Sequence, residues 1–531
     1  MNNGNWDYII IGAGASGCVI ANRLSENPQN KVLLLEAGPK DRGLQFRVPV
    51  LQSQSVNNQK YDWQYQRDSG DFPFGQKNHL CNAGKVLGGG TAINGLVYVR
   101  GAPQDYDYWE LLGNNGWSYN DVLPYFKKAE TNALLHPLAG TDGPMHVVTQ
   151  QNPPVLSTRM IEAATELGIP HCNPLDNAGK VRAIYFQTNQ KNGVRCSSAY
   201  AYLSTIRNRK NLHIIINAHV TKLILKNKKV IGVEYQIEKN KFTVDCEKEV
   251  IVSGGALSSP KILLLSGIGD ANHLNEMGIT VQHHLPGVGK NLQDHPATII
   301  SVQTNIPSLN QEFSGFNILK NGLKWLFTKS GPATTPVSQT GIYIKSNDTI
   351  DCPDIQVDFT ALGFVANTEG VFVDKNSTVM LAPTLVKPKS RGQIKLAGCD
   401  ALTQAKIIHS YFSDPDDLER LVIGNQFARR LLQTKAFSKY VDHEISPGTS
   451  VRSIDEWRDF IKNNAVCCWH PVGTCKMGND ENAVVDAQLR VHGIENLRVA
   501  DASIMPEIVS ANTTETCIMI GEKAADLILK Q

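Results

Sequence analysis

No apolar run in this 531-residue chain approaches the roughly 18 residues that span a bilayer, so no transmembrane helix is expected. Its first residues, MNNGNWDY, lack the basic and apolar regions of a secretory signal, and a strand-like run begins almost at once. Neither sign of charge is in excess: Lys and Arg number 52 against 50 Asp and Glu, a formal charge of +2. That leaves no basic footprint for nucleic acid and no charged tail. Eleven cysteines, an odd number scattered from Cys18 to Cys517, do not make a disulfide framework. A reducing cytoplasm is therefore the expected location, with peripheral attachment at the inner face of a membrane left open. No internal repeat or low-complexity segment occurs. The remaining composition, 41% hydrophobic and 19% charged, is that of an ordinary globular protein, long enough for two to four domains.

The most informative stretch is Asp7 to Glu36, DYIIIGAGASGCVIANRLSENPQNKVLLLE. Tyr8–Ile11 is a β-branched apolar run suited to a buried strand. Gly12, Gly14 and Gly17 follow at G-x-G-x-x-G spacing, an amphipathic helix runs to about Leu24, and a second strand, Val32–Leu35, ends on Glu36. Gly12 permits a tight turn, Gly14 lets backbone approach a pyrophosphate, and Gly17 lets helix pack on strand. The helix N-terminus offers unpaired N–H groups to phosphates. Glu36 stands where an acid holds both ribose hydroxyls and repels a 2′-phosphate, so NADP is not expected. A Gly-rich turn alone would be weak; strand, helix and acid together indicate dinucleotide binding, with the dinucleotide still open.

Further along, the segment to about Lys77 reads as extended chain, punctuated by the aromatic Tyr61–Tyr65. Three consecutive glycines, Gly88–Gly90, allow backbone close to a flat or anionic ligand, and a helical turn is expected through Ala92–Val97. Trp109–Glu130 and Val155–Leu167 read as helices, and Leu134–Pro144 as a loop. Arg195–Leu203 enters a helix. Leu212–Asn217, Val220–Leu225, Val230–Gln236 and Glu249–Ser253 read as strands, followed by a buried helix through Pro260–Leu265. These strands would complete the sheet begun at Asp7. From about Gln303 to Asn463 strand-like runs alternate with polar loops and one long helix, Leu418–Leu432, as in a second domain on a mixed or antiparallel sheet. Leu497–Ala500 returns to a buried strand and Cys517–Leu529 is a closing helix. The fold class is α/β, in two domains.

Three ordered segments resemble one family, the glucose–methanol–choline flavin oxidoreductases: Asp7–Glu36; GKVLGGGTAINGLVYVRG at Gly84–Gly101; and GALSSPKILLLSGIG at Gly255–Gly269. PGVGKNLQDH (Pro286–His295), KPKSRG (Lys387–Gly392) and WHPVGTCKMG (Trp469–Gly478) are similar to it as well. The resemblance covers nearly the whole chain. It implies a Rossmann-like FAD-binding domain from residues 1–160, 196–302 and 466–531, and a discontinuous substrate-binding domain from 161–195 and 303–465. It also implies FAD rather than NAD. The ADP half would lie at Gly12, Ala13, Gly14, Ala15, Gly17, Glu36 and Ala37, with the Val220 backbone on the adenine. The isoalloxazine would meet Asn94 and Val97, the ribityl–pyrophosphate Asp501 and Ala502, and Val86, Gly89, Gly95, Trp469, Asn512 and Thr513 would also touch the cofactor.

The chemistry implied is oxidation of a primary alcohol to an aldehyde. A hydride leaves the carbinol carbon for flavin N5 while a base takes the hydroxyl proton. By resemblance the base is His470, with Asn512 binding the substrate oxygen. Histidine suits the task because its ordinary pKa lies near physiological pH. His295 is expected near the flavin without a direct role, and His79, His219, His283 and His409 as surface or satisfied core residues. Cys467, Cys468 and Cys475 near His470 lack the spacing of a metal site; Cys468 is a candidate pocket residue. After Asn512 the chain reads SANTTETC where many relatives read close to SGNTNAPT, which places Thr514 and Glu515 at the flavin's edge and puts pocket shape in doubt. Electrons would pass to a quinone or another carrier. The alternatives are an oxidase that reduces O2 to H2O2, or a redox-silent lyase like the hydroxynitrile lyases. A light-driven decarboxylase is disfavoured because Phe359–Val371 lacks the cysteine of that enzyme. No cage for a quaternary ammonium is legible. Where some relatives tether FAD through a histidine this chain has Ile93, so acid precipitation should release all the yellow colour; colour retained in the pellet would overturn noncovalent binding.

Overall fold

The computed structural model describes residues 5–68, 80–150, 152–367 and 370–530. The sequence expectations for Lys77 and His79 lie outside these residues. Two sheets organise the chain. In the first, Leu212–Ile215, Val32–Leu35, Trp6–Ile11 and Asn240–Val252 lie side by side in parallel, and Leu497–Val499 adds to the last of them. Ile11 pairs with both Leu35 and Val252, so the parallel strands end together. Ile9, Ile10, Leu33, Leu34, Val250 and Ile251 are fully buried, as an apolar run covered on both faces requires. Asn240–Val252 is longer than the Glu249–Ser253 strand expected: its first half forms an antiparallel ladder with Lys229–Ile237, which pairs with His219–Lys226.

The second sheet is antiparallel, in the order Val441–Ser446, Ile300–Thr304, Thr378–Leu385, Ile355–Thr360, Thr340–Ile344 and Arg182–Tyr185. The long helix Pro415–Gln433 packs on one face through Leu418, Leu421 and Val422, against Ile355, Val357 and Leu381. With a side-chain period of two, Gln356, Asp358 and Thr360 point from the other face, beside Thr384, Ala382 and Met380 of the neighbouring strand. That face is one wall of the cavity described below.

Several local expectations are corrected. Trp109–Glu130 is not one helix: Pro103–Leu111 and Tyr119–Ala129 are separated by Gly113 and Gly116, both at positive φ. The turn after Gly88–Gly90 is the helix Gly90–Ile93, and the chain reverses at Leu96 (φ 69°) before a short strand, Val97–Tyr98. In Arg195–Leu203 only Ala199–Leu203 is helical, as one wide π turn. The stretch after Glu36 contains two 3-10 helices, Leu44–Phe46 and Pro49–Gln54, rather than purely extended chain.

Glu515 is also not where sequence put it. It begins the closing helix Thr514–Leu529, and its carboxylate turns away from the cavity to accept from Arg100 Nε at 2.6 Å. Arg100 Nη2 donates to Glu130 at 2.9 Å, so one buried guanidinium joins two buried acids. Burial raises the Glu515 carboxyl and Arg100 pulls it back. Arg100→Met should therefore cost about 3–5 kcal/mol by leaving two carboxylates buried without a counter-charge. Glu515→Gln, which keeps an acceptor for Arg100, should cost much less; equal losses of thermal midpoint would refute this account.

Candidate active site

A cavity of about 2860 Å³ runs between the carboxyl ends of the parallel strands and the open face of the antiparallel sheet. It is several times larger than the roughly 300–1,000 Å³ of an ordinary ligand pocket. One end is built by the loops that leave the parallel strands, where ligands collect in open α/β sheets. Gly12 (φ 97°) makes the first turn, and a Cβ there would lie 2.5 Å from the Ser253 carbonyl. A Cβ on Gly14 would meet nothing within 4 Å; this residue caps the helix Ala15–Leu24 and lines the cavity. Glu36, at the end of the second strand, accepts N–H from Ala13 and Gly38, each at 2.8 Å. Burial pushes its carboxyl up to about 7 despite those donors. Asp501, after Leu497–Val499, accepts from Gly255 N, Ser259 Oγ and Ser503 N at 2.8, 2.5 and 2.8 Å.

These features fit an extended dinucleotide: open glycine backbone at a helix N-terminus, a buried acid nearby, and a continuous space leading away. Of the residues anticipated from sequence, Gly12, Gly14, Ala15, Glu36, Ala37 and Val220 line this end, and Asp501 and Ala502 its middle. Gly89, Asn94, Gly95, Val97, Trp469, His470, Asn512 and Thr513 line the remainder. Three do not reach the cavity. Ala13 is buried with its N–H on Glu36, Gly17 packs where a Cβ would stand 1.9 Å from the Gly12 carbonyl, and Val86 sits in a small core with Phe46, Ala92 and Ile93. Ile93 and Cys468 do line it.

At the far end His470 Nε2 lies 3.2 Å from Asn512 Nδ2. His470 Nδ1 lies 3.0 Å from Nδ1 of His295, which lines the cavity beside it. The tautomers follow from the hydrogen bonds. With the Asn512 amide placed Nδ2 toward His470, the ring is assigned its lone pair on Nε2 and its proton on Nδ1, toward His295. Burial pushes His295 down to about 3, with the neighbouring His470 adding to the effect; it stays a neutral acceptor. His470 is also lowered by burial, with Asp294 opposing. Asp294 Oδ1 accepts the backbone N–H of both histidines at 2.8 Å, and its Oδ2 is 3.5 Å from His409 Nε2. Burial works against ionisation of Asp294, but His409 and the two other histidines prevail and its carboxyl is held low. His409 is thus part of the site's backing rather than a bland core residue.

Sequence reasoning missed other members. Gln293 Nε2 donates to Pro506 O and its Oε1 accepts from Ile508 N, each at 3.0 Å, fixing the approach to Asn512. Arg195, fully buried with no acid partner among the described residues, donates to Asn94 Oδ1 at 2.8 Å; burial lowers it to about 9. Asp358 and Gln356 line the chamber; Gln356 donates to Asp358 at 2.7 Å, its own Oε1 is buried without a partner, and burial raises Asp358 to about 7. Their only sequence signal was a polar alternation in an otherwise apolar strand. Among the described residues no group of three His, Cys, Asp or Glu is placed to hold a metal.

The GMC oxidoreductase models match residues 6–297 and 388–521. The chain is 37% identical to an alcohol dehydrogenase [acceptor] of Pseudomonas putida, over 99% of this chain and 96% of that protein. It is 36% identical to an oxygen-dependent choline dehydrogenase of Vibrio vulnificus, over 99% and 94%. Among solved structures it resembles pyridoxine 4-oxidase from Mesorbium loti with a TM-score of 0.88 and 27% identity, covering 99% of this chain and 100% of that one. Gly14→Ala should fold normally yet lower the dinucleotide bound per chain, read from the absorbance of the ligand released on denaturation. Gly17→Ala should lower the melting temperature as well, because its Cβ strikes backbone; the reverse pattern would refute the assignment.

Proposed function

The chain belongs to the GMC oxidoreductase family, and on that footing we propose that it oxidises a primary alcohol to an aldehyde with FAD, passing the electrons to a quinone or another carrier. The observation that carries this reading is the His470–Asn512 pair facing the cavity, 3.2 Å apart. Gly14, Asn94 and Val97 are among the residues that would hold FAD, without a covalent tether since Ile93 offers no nucleophile, and it would supply the hydride acceptor. The alcohol hydroxyl gives its proton to His470 Nε2 and accepts a hydrogen bond from Asn512 Nδ2. Asparagine cannot act as a base, so the proton has one destination. Because His295 is a weak base, the proton stays on His470, where the Asp294 carboxylate favours the resulting imidazolium.

An anaerobic panel of alcohols, read as bleaching of the yellow absorbance, tests the reading. Bleaching followed by reoxidation with an artificial dye supports a dehydrogenase; rapid peroxide formation in air would move the protein to the oxidases. Persistent colour with every alcohol would favour a redox-silent lyase. Further, His470→Ala should remain yellow and lose about 10²–10⁴-fold in rate. The pH dependence has a defined sign: burial lowers the His470 pKa from 6.5, so its base form persists at neutral pH and kcat/KM should fall only on acidification below that value. Asp294→Asn should move this acid limb to still lower pH, since it removes the charge that favours imidazolium; a shift upward would contradict the mechanism.

A further inference from the structure

The helix Gly315–Thr328, GFNILKNGLKWLFT, is amphipathic in the wrong direction for a globular protein. Its buried residues are Asn321 and Trp325, and Asn317 joins them on the inner stripe. The spacing of Phe316, Leu319, Leu323 and Phe327 puts all four on the opposite, outward stripe. Phe316 is 77% and Phe327 81% exposed, and Ile318, Leu319, Leu323 and Leu326 are exposed by 57, 58, 46 and 54%. Large apolar side chains exposed singly are ordinary; six on one helix mark an interaction surface.

The charges on this helix have one sign. It contains no Asp or Glu, and Lys320 and Lys324 flank the apolar stripe, exposed and in no ion pair among the described residues. The inner face is fixed: Asn321 donates to Glu312, Trp325 Nε1 donates to Gly193 O at 2.7 Å, and Trp325 packs with Val48 and Ala333. The helix is therefore held rigidly, apolar side outward. Beyond it the chain passes through Pro332–Thr334 to Val337 and Ser338, which line the cavity.

We propose that this face docks on an anionic lipid bilayer, the phenylalanines and leucines entering the headgroup–acyl boundary and the lysines meeting lipid phosphates. The segment that lines the cavity at Val337 and Ser338 then lies near the membrane surface, toward an acceptor dissolved in it. This docking does not depend on the reaction proposed above. A protein partner of matching chemistry would need acidic residues around its own apolar patch; lipid supplies both chemistries in any orientation.

The test is flotation of the flavin-loaded protein with vesicles of phosphatidylglycerol and phosphatidylethanolamine, compared with phosphatidylcholine, at low and high salt. Wild type should float with the anionic vesicles and lose binding at high salt. Lys320→Glu with Lys324→Glu should lose at least tenfold in partitioning, since each lysine near such a surface contributes roughly fivefold. Phe316→Ser with Phe327→Ser should abolish flotation at any salt. Both pairs should keep the rate with a soluble dye, a readout that fails separately if the reaction is misassigned. Wild type that stays with the soluble fraction, or variants that float as well as it does, would overturn the proposal. So would a dimer in solution that the phenylalanine pair dissolves without any vesicle binding, which would assign the face to a second copy.

Discussion

One oxygen atom, Oδ1 of Asp294, accepts the backbone N–H groups of both His295 and His470. These residues are far apart in sequence, and the shared acceptor fixes their imidazoles edge to edge. The ladder around it repeats the constraint: Gln293 and Val472 exchange backbone hydrogen bonds, and Cys468 N donates to His295 O. Gln293 then reaches sideways to Pro506 and Ile508, which brings in the segment carrying Asn512. Three distant stretches are thus positioned by consecutive residues of a single one. Moving Asp294 would release the base and its backing together.

The same geometry explains why His470 is uncharged at rest. Burial disfavours both imidazolium ions, and the lone carboxylate behind them is shared among three histidines. His295 is too weak a base to draw the proton onward, so its contribution is to hold the His470 tautomer. Trp469, between the Cys468 and His470 anchors, sits at φ 58°. A left-handed tryptophan costs of order 1–3 kcal/mol and persists only where its surroundings over-determine it. The hydrogen bonds on either side do so here.

How much was legible in the sequence follows from what kind of signal each feature leaves. The Gly12–Glu36 turn was readable because local chain geometry demands those residue types at that spacing. The parallel strands were readable as continuous apolar runs. His470 and Asn512 came only from resemblance, since a histidine and an asparagine far apart carry no periodicity. The contacts of His295 and His409 are illegible for the same reason: their meaning lies in a shared carboxylate that no local pattern announces. Glu515 was misplaced because one step along a helix turns a side chain by about 100°, enough to carry it from the cavity at Thr514 to Arg100. Val86 failed likewise; proximity in a Gly-rich segment does not say which side of the wall a side chain takes.

The outward-facing helix Gly315–Thr328 escaped for a different reason. Its apolar spacing is that of any amphipathic core helix, and sequence alone assigns such a stripe to the interior. Only the packing of Asn321 and Trp325 on the opposite side reveals the inversion. The absence of a long apolar run, read first as evidence against spanning a membrane, is thus compatible with lying on one. Two parts of the cavity differ: one is lined by Gly14 and Glu36, while the part near Gly95 is lined by Val337, on chain continuous with this helix. On the function and docking proposed above, an enzyme that takes electrons from an alcohol and gives them to a bilayer-soluble carrier would use that polarity, with the exchange of small molecules directed to the lipid side.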